Sequence, residues 1–490
     1  MRILPQEPNG SSKIDLRVAN LNDYALIEKI TNLIGSNNLF LDESSLTKNS
    51  MDAFGRFRNN PDAYKNGKVL AVVTPSSTQQ VADIIKLAND EKIALMPYGG
   101  GTGVMGAITP TQDCISVDLK NMNRIRNISY EDKTATVEAG TILADLEFSL
   151  NQQDLMLGHD PYSVPIATVG GAISTNGVGY RASRYGSMGD QVLGLEVVLP
   201  NGKILKTPAV IKSSTGPSLN QLFIGAEGCF GIITQATLRV FRSPELRVFK
   251  SFLFDNFEDG FNAMTEMFSI GLKPALIDVS EEIPDPSSGS KTVMYLTFEG
   301  YTEEVKAQLT RTITICNQRN GKDAGESLAE HYWNTRHDSA YSYKKRFLNG
   351  TPEGTLSAEP RRLSEYPHVS IPISKVLDYR SQCKEIMDQR NMHIREYSCW
   401  TAPELFSIIL VNVDVADESE KSNHESISNV VTEILSIAQN LGGSMEYVHG
   451  VGTKLVHLMP QELGNGLSLL RGIKYSIDPN NIMNPGRLGL

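Results

Sequence analysis

The stretch Met96–Ala107, MPYGGGTGVMGA, limits the fold more than any other segment. Four of its glycines fall between Gly99 and Gly103, and so many residues without a Cβ make neither a stable helix nor an ordinary strand. Read from Gly101, the spacing is G-x-G-x-x-G (Gly101, Gly103, Gly106), the pattern of a dinucleotide-binding turn. Such a turn needs a strand before the glycines and a helix opening on them, because the helix N-terminus holds the pyrophosphate. The strand, IALM, is present. The helix is not, since Pro110 would sit inside it and remove a hydrogen bond. Nor is this a plain linker, because Pro97, Tyr98 and Thr102 stiffen it. What remains is a nest: successive backbone N–H groups converging on one anion without a helix or a side-chain charge.

At 490 residues the chain exceeds one ordinary core, and two or three domains are expected. The net charge of -10 argues against a nucleic-acid binder, which needs a basic face. The run Lys344-Lys345-Arg346 is too short to reverse that and reads as a solvated loop. Cys114, Cys229, Cys316, Cys383 and Cys399 are dispersed, without a C-x-x-C pair, which suits a reducing compartment rather than a disulfide framework or zinc ribbon. The N-terminus lacks the apolar core of a secretory signal. The longest apolar run, Phe406 to Val413, has the length of one buried strand, not a membrane span. The expected location is cytoplasmic, at most peripheral to a membrane.

Residues 1–60 are polar with weak helical pattern and read as an N-terminal arm. VLAVV (Val69 to Val73) is a strand, followed by a helix whose apolar residues Val81, Ile84, Ile85 and Ala88 fall at helical spacing, capped by Ser77 or Thr78. CISVDL, TATVEAG, GLEVVLP and GIITQATLRVF are further strands, and Asn201-Gly202 is a hairpin turn. The character changes near Ser243-Pro244. Beyond it, helices carry Phe261, Met264 and Phe268; Val305, Leu309, Ile313 and Cys316; Val376, Tyr379, Cys383 and Ile386, capped by Ser374; and Ile427 to Leu441, stopped by Gly442-Gly443. With strands TVMYLTF, HVSIP and LFSIILVNVDV, these form two strand–helix–strand units side by side. Asp285 to Ser290 and Asn349 to Gly354 read as loops.

Two more glycine-rich runs follow the first, at residues 158–202 and 223–241. With all three in order, the chain from about Val69 onward resembles the FAD-binding PCMH-type flavoproteins, the vanillyl-alcohol-oxidase type. Within these it is similar to the D-lactate dehydrogenase/glycolate oxidase flavoproteins and the alkyldihydroxyacetonephosphate synthases. The resemblance implies an α+β fold: a two-part FAD-binding PCMH-type domain over 61–243, a substrate or cap domain over 244–447, and a C-terminal segment, 448–490, returning to the flavin. It implies that Tyr98, Gly99, Gly100, Gly101, Thr102 and Gly103 hold the FAD pyrophosphate. It implies flavin-contacting or loop-shaping roles for Asp160, Ser163, Thr168, Gly171, Thr175, Asn176 and Gly179. Glu227, Gly228, Gly231 and Ile233 would lie near the adenine and ribose, and Asn484 beside the isoalloxazine. No histidine occupies the first loop, where some relatives attach the flavin, so non-covalent FAD is expected.

A flavin brings the electron chemistry, leaving the protein to position a small-molecule substrate and manage a proton. His449, in MEYVHGVGTK, matches the family's catalytic motif and can take a hydroxyl proton. Arg336, in WNTRHDSAYSYKKR, resembles the arginine that grips a substrate carboxylate. His368, on HVSIP, is a third candidate for the same cleft. Two departures stand out. Family members with a metal carry G-D-G-N-x-H on a cap strand, which here reads LFSIILVNVDVADE. The Glu that normally precedes the motif histidine is Val448, so no metal is expected. The synthases' three consecutive histidines are reduced to Tyr447, Val448 and His449. Three readings follow. The first is an FAD-dependent oxidoreductase acting on a small 2-hydroxy acid or alcohol, with an unidentified electron acceptor. The others are a synthase-like redox-neutral transferase using a flavin adduct and a non-catalytic flavin-binding subunit. A homodimer is compatible with all three.

Overall fold

The computed structural model describes residues 24–53, 66–283, 290–345, 364–390, 392–412 and 420–490. Of the expected features, residues 1–23 and 54–60 of the arm, most of the 285–290 loop, the 349–354 loop and the end of the LFSIILVNVDV strand lie outside these. No helix of the described residues is long and apolar enough to cross a membrane.

The first domain has two main sheets and a two-stranded ribbon, Leu155–Met156 with Phe241–Arg242. Val69–Val73, Cys114–Asp118 and Ala94–Tyr98 run parallel, with Leu39–Phe40 added antiparallel at the edge. The helix Thr78–Glu91 crosses between the first two strands in sequence, its start fixed by Ser77 Oγ accepting from Gln80 N (3.2 Å). It buries Val81, Ile84, Ile85 and Ala88, as their spacing predicts. The second sheet is antiparallel, in the order Ile125–Ser129, Thr134–Glu138, Ile232–Arg239, Val192–Val198, Ile204–Lys206. Asn201-Gly202 turns between its last two strands, with Gly202 at φ 76°.

The arm is corrected by the structure. Tyr24–Ile34 is a helix burying Leu26, Ile30 and Ile34, one stripe at four-residue spacing, and Leu39 pairs with Val73. Its described part therefore belongs to the first domain.

The cap is one eight-stranded sheet, with Leu276–Glu282 and Met392–Trp400 paired at its centre. Each half reads strand, helix, strand, strand, helix. The first comprises Leu246–Phe254, Phe257–Ser269, Leu276–Glu282, Lys291–Gly300 and Thr302–Gln318; the second, His368–Ser370, Val376–Gln389, Met392–Trp400, Leu405–Asn412 and Glu420–Asn440. Each expected strand–helix–strand unit thus has an extra strand. Leu246–Phe254 escapes notice because Arg247 and Lys250 interrupt its apolar pattern, each answered across the sheet by Glu299 and Asp323. Ser374 is not the expected cap. It lies in the 3-10 turn Ile373–Lys375 that Pro372 begins, so the α-helix starts at Val376, one residue later than a Ser374 cap would give.

The chain then returns. Met483 bridges Leu95, Asn484 N donates to Leu95 O (2.8 Å), and the fully buried Arg487 donates to the carbonyls of Ala107 (2.8 Å) and Thr109. The last ten residues close the sheet from which the glycine loop springs.

Candidate active site

The glycine loop leaves Tyr98 and reaches Cys114 without a helix. The amides of Gly100, Gly101, Thr102 and Gly103 donate to no acceptor among the described residues. Gly101 is buried and the other three are half-buried, and converging amides of this kind could receive an anion. The loop lies flat on the second glycine run. A Cβ at Gly99 would stand 2.5 Å from Thr168 Oγ1, and one at Gly100 would overlap the Ile166 carbonyl. Gly101, at φ 65°, reverses the chain.

In the second run, Thr168 Oγ1 accepts from Gly171 N (3.3 Å) and starts the helix Val169–Thr175. Thr175 Oγ1 donates to the Gly171 carbonyl (3.2 Å). Asn176 ends the helix at φ 50°, and its side chain accepts from Gly189 N (2.9 Å). The Ser163 carbonyl accepts from Ile166 N (2.9 Å), and Gly179 lets the Asp160 backbone approach. In the third run, Gly228 packs on Pro97, Gly231 on the Val198 carbonyl, and Ile233 is a buried strand residue.

Glu227, at φ 49°, has a more specific task. Its buried carboxylate accepts from Val451 N (2.6 Å) and Gly452 N (3.0 Å), while its carbonyl accepts from Asn484 Nδ2 (2.6 Å). Burial raises its pKa, opposed by the Gly452 and Val451 amides. Glu227 therefore ties the His449 loop to the first domain. The loop also lies on the glycine loop itself: Thr453 N donates to Met105 O (3.0 Å), and a Cβ at Gly452 would overlap that carbonyl.

His449 is gathered with His368 and Glu446. The two imidazole centroids are 4.7 Å apart, edge to face, and His449 Nδ1 lies 3.7 Å from Glu446 Oε1. Glu446 Oε1 also accepts from Val448 N (2.6 Å) and His449 N (2.9 Å), which bends the chain. Burial would raise the Glu446 carboxyl, but His449 and then His368 outweigh it and keep it ionised. Burial, reinforced by the neighbouring His449, pushes His368 down to about 4. The three offer ligand atoms within 4.8 Å of one another, a set able to relay a proton or take a divalent ion. Looking for Glu directly before the histidine missed Glu446, which the turn brings back from three positions upstream.

Arg336 is not free. Its Nε donates to Asp160 Oδ2 (2.9 Å) and its guanidinium stacks 4.0 Å over Trp333. His337 pairs with the other Asp160 oxygen (2.9 Å) and Arg181 lies 3.7 Å away. Burial alone would raise the Asp160 carboxyl; Arg181, His337 and Arg336 together hold it well below the usual range. Asp160 and Arg336, one given to the flavin and one to the substrate, instead join the first domain to the cap.

A paired-sheet domain with a glycine loop, a cap sheet joined to it and a histidine loop seated on Met105 and Gly106 make up the two-domain frame of a flavoenzyme. Residues 69–208 match the FAD binding domain family and residues 243–488 the FAD linked oxidases, C-terminal domain. The chain belongs to the FAD-linked oxidases. The uncharacterized FAD-linked oxidoreductase YgcU of Escherichia coli (strain K12) is 28% identical, over 96% of this chain and 99% of its own. Glycolate oxidase subunit GlcD of Bacillus subtilis (strain 168) is 26% identical, over 90% and 91%. The solved alkyldihydroxyacetonephosphate synthase shares the fold with a TM-score of 0.75 and 20% identity, over 94% of this chain and 85% of that one. The unpaired amides and the glycines without room for a Cβ fit the diphosphate of FAD.

Gly100→Ala should leave a folded protein that loses most of its FAD, read from the ratio of flavin to protein absorbance after gel filtration. Asp160→Asn leaves Arg336 without its carboxylate, while Arg181 keeps Glu147, and should cost about 3 kcal/mol of stability at pH 7. Because the folded Asp160 pKa lies below the unfolded value of about 3.9, its contribution is present at neutral pH and lost as pH falls below about 4. Urea denaturation of both proteins across the acid range should show a shallower acid loss in the variant.

Proposed function

We propose that the protein oxidises a small hydroxy compound, a 2-hydroxy acid or an alcohol, with His449 as the base. The observation carrying this is the gathering of His368 with His449 and Glu446, whose loop Met105 and Glu227 hold to the first domain. FAD, when bound, supplies the acceptor for the carbon-bound hydrogen and its electron pair as the carbinol becomes a carbonyl.

His449 takes the hydroxyl proton at Nε2, since Nδ1 faces Glu446. The Glu446 carboxylate stabilises the imidazolium that results. His368, whose Nδ1 lies 2.7 Å from the Tyr366 carbonyl, presents Nε2 as an acceptor and carries the proton onward. We read the trio as handling protons rather than a metal. Glu446 Oε1 already accepts from two amides, so reduction should proceed equally with a chelator present. The cofactor is proposed to be non-covalent, because Gly101 and Thr102 stand where an attaching histidine would be.

His449→Ala should retain FAD yet slow anaerobic flavin reduction by about 10²-fold or more, measured by stopped-flow bleaching; an unchanged rate removes His449 from this role. Acid precipitation should release all the yellow colour into the supernatant, and colour remaining in the pellet would mean a covalent link.

A further inference from the structure

The two faces of the cap sheet differ in chemistry. On one, Phe406 packs on Tyr379, Phe257 and Tyr397 at centroid distances of 5.7–6.0 Å, the ordinary apolar contact with covering helices. On the other, strand register sets His368 opposite Ser407, Ser407 opposite Ser398, and Ser398 opposite Ser280. One pleat along, Trp400 stands opposite Asp278. This face is polar yet enclosed: Ser280, Ser398, Ser407 and Asp278 are all buried.

It is also incompletely satisfied. Tyr332 donates to Asp278 Oδ2 (2.9 Å), but Asp278 Oδ1, Trp400 Nε1 and the Tyr447 hydroxyl have no partner among the described residues. Asp278 is only 6% exposed. Buried polar groups left unmet are costly, so three in one region point to a ligand that supplies the missing bonds. Aromatic rings flank them. Tyr180 lies edge-on to Trp400 (5.5 Å) and Tyr332 (5.9 Å), and Tyr447 lies against His368 (5.6 Å), next to His449.

The charge around this face is unsuited to an anion. Glu282 and Glu396 lie on it, Glu446 stands beside it, and Arg336 is turned to Asp160. Burial, then Glu396, raises the Asp278 carboxyl, so this group is a neutral hydrogen-bond donor rather than a charge. Strand spacing puts His368 and Trp400 roughly 12 Å apart along the backbone, room for a chain of about six carbons or one sugar ring.

We propose that Asp278, Trp400 and Tyr447 form a substrate subsite, and that the substrate is a neutral polyhydroxylated compound, an alditol or sugar, whose reacting carbinol lies at His449. This rests on the oxidase reading above and selects alcohol over 2-hydroxy acid. Hydroxyls can accept from Asp278 and Trp400 and exchange a hydrogen bond with Tyr447, while carbon-bound hydrogens rest on the rings.

The test uses FAD-loaded, full-length protein. Sorbitol, xylitol and glucose are compared with lactate, glycolate, gluconate and benzyl alcohol by anaerobic flavin bleaching. The same compounds are titrated calorimetrically into His449→Ala. The expected result is reduction by a polyol or sugar with kcat/KM about tenfold or more above any acid or benzyl alcohol. Asp278→Asn and Trp400→Phe should each raise KM about tenfold with kcat little changed. Bleaching by the acids or benzyl alcohol, with no binding of polyols, overturns the subsite and leaves His449 as base. Polyol binding that is weakened by Asp278→Asn, without reduction by any compound, supports the subsite and overturns the oxidase reading. Polyol kinetics untouched by both substitutions also overturn the subsite.

Discussion

Everything in this molecule depends on backbone meeting backbone where no side chain fits. The glycine loop lies on the Ile166 carbonyl through Gly100, and the histidine loop lies on the Met105 carbonyl through Gly452. These two contacts stack three distant parts of the chain into one layer. Their cost is the conformational freedom that glycine loses on folding. Their return is a run of amides with no acceptor among the described residues, and a His449 segment whose own amides are held by Glu227 and Glu446.

Much of this was legible in the sequence, and the legible parts share a cause. The missing helix after Gly106 followed from Pro110; the helix at Thr78–Glu91 followed from its apolar spacing and Ser77. The glycine runs could be ordered because a residue lacking a Cβ marks its own purpose. The unread parts depend on contacts across long sequence separations. Arg336 carries the right charge for a substrate carboxylate, but 176 residues separate it from the Asp160 that takes it. Glu227 sits in a glycine run assigned to the cofactor, yet its carboxylate grips amides 224 and 225 residues away. The strand Leu246–Phe254 hid because Arg247 and Lys250 break its alternation, and the carboxylates that justify them lie on other strands.

The cap shows how one sheet serves two purposes. Alternation sends Val279, Cys399 and Phe406 to the helices and Asp278, Trp400 and Ser407 to the opposite side. Stability rests on the first set. The second carries polar groups at the expense of packing, as functional surfaces commonly do. The buried salt-bridge cluster of Asp160, Arg181, Arg336 and His337 links the second glycine run to the cap.

The return of the C-terminus has a consequence for biosynthesis. Asn484 and Arg487 complete a sheet edge and plug carbonyls that residues 95 to 109 expose. Arg487 leaves the ribosome 380 residues after the Ala107 whose carbonyl it caps. Until then the nascent first domain has an open strand edge and an unfilled interior, the state in which chains pair wrongly with one another. A chain that ends early therefore loses more than its tail: it never seals the domain that was made first.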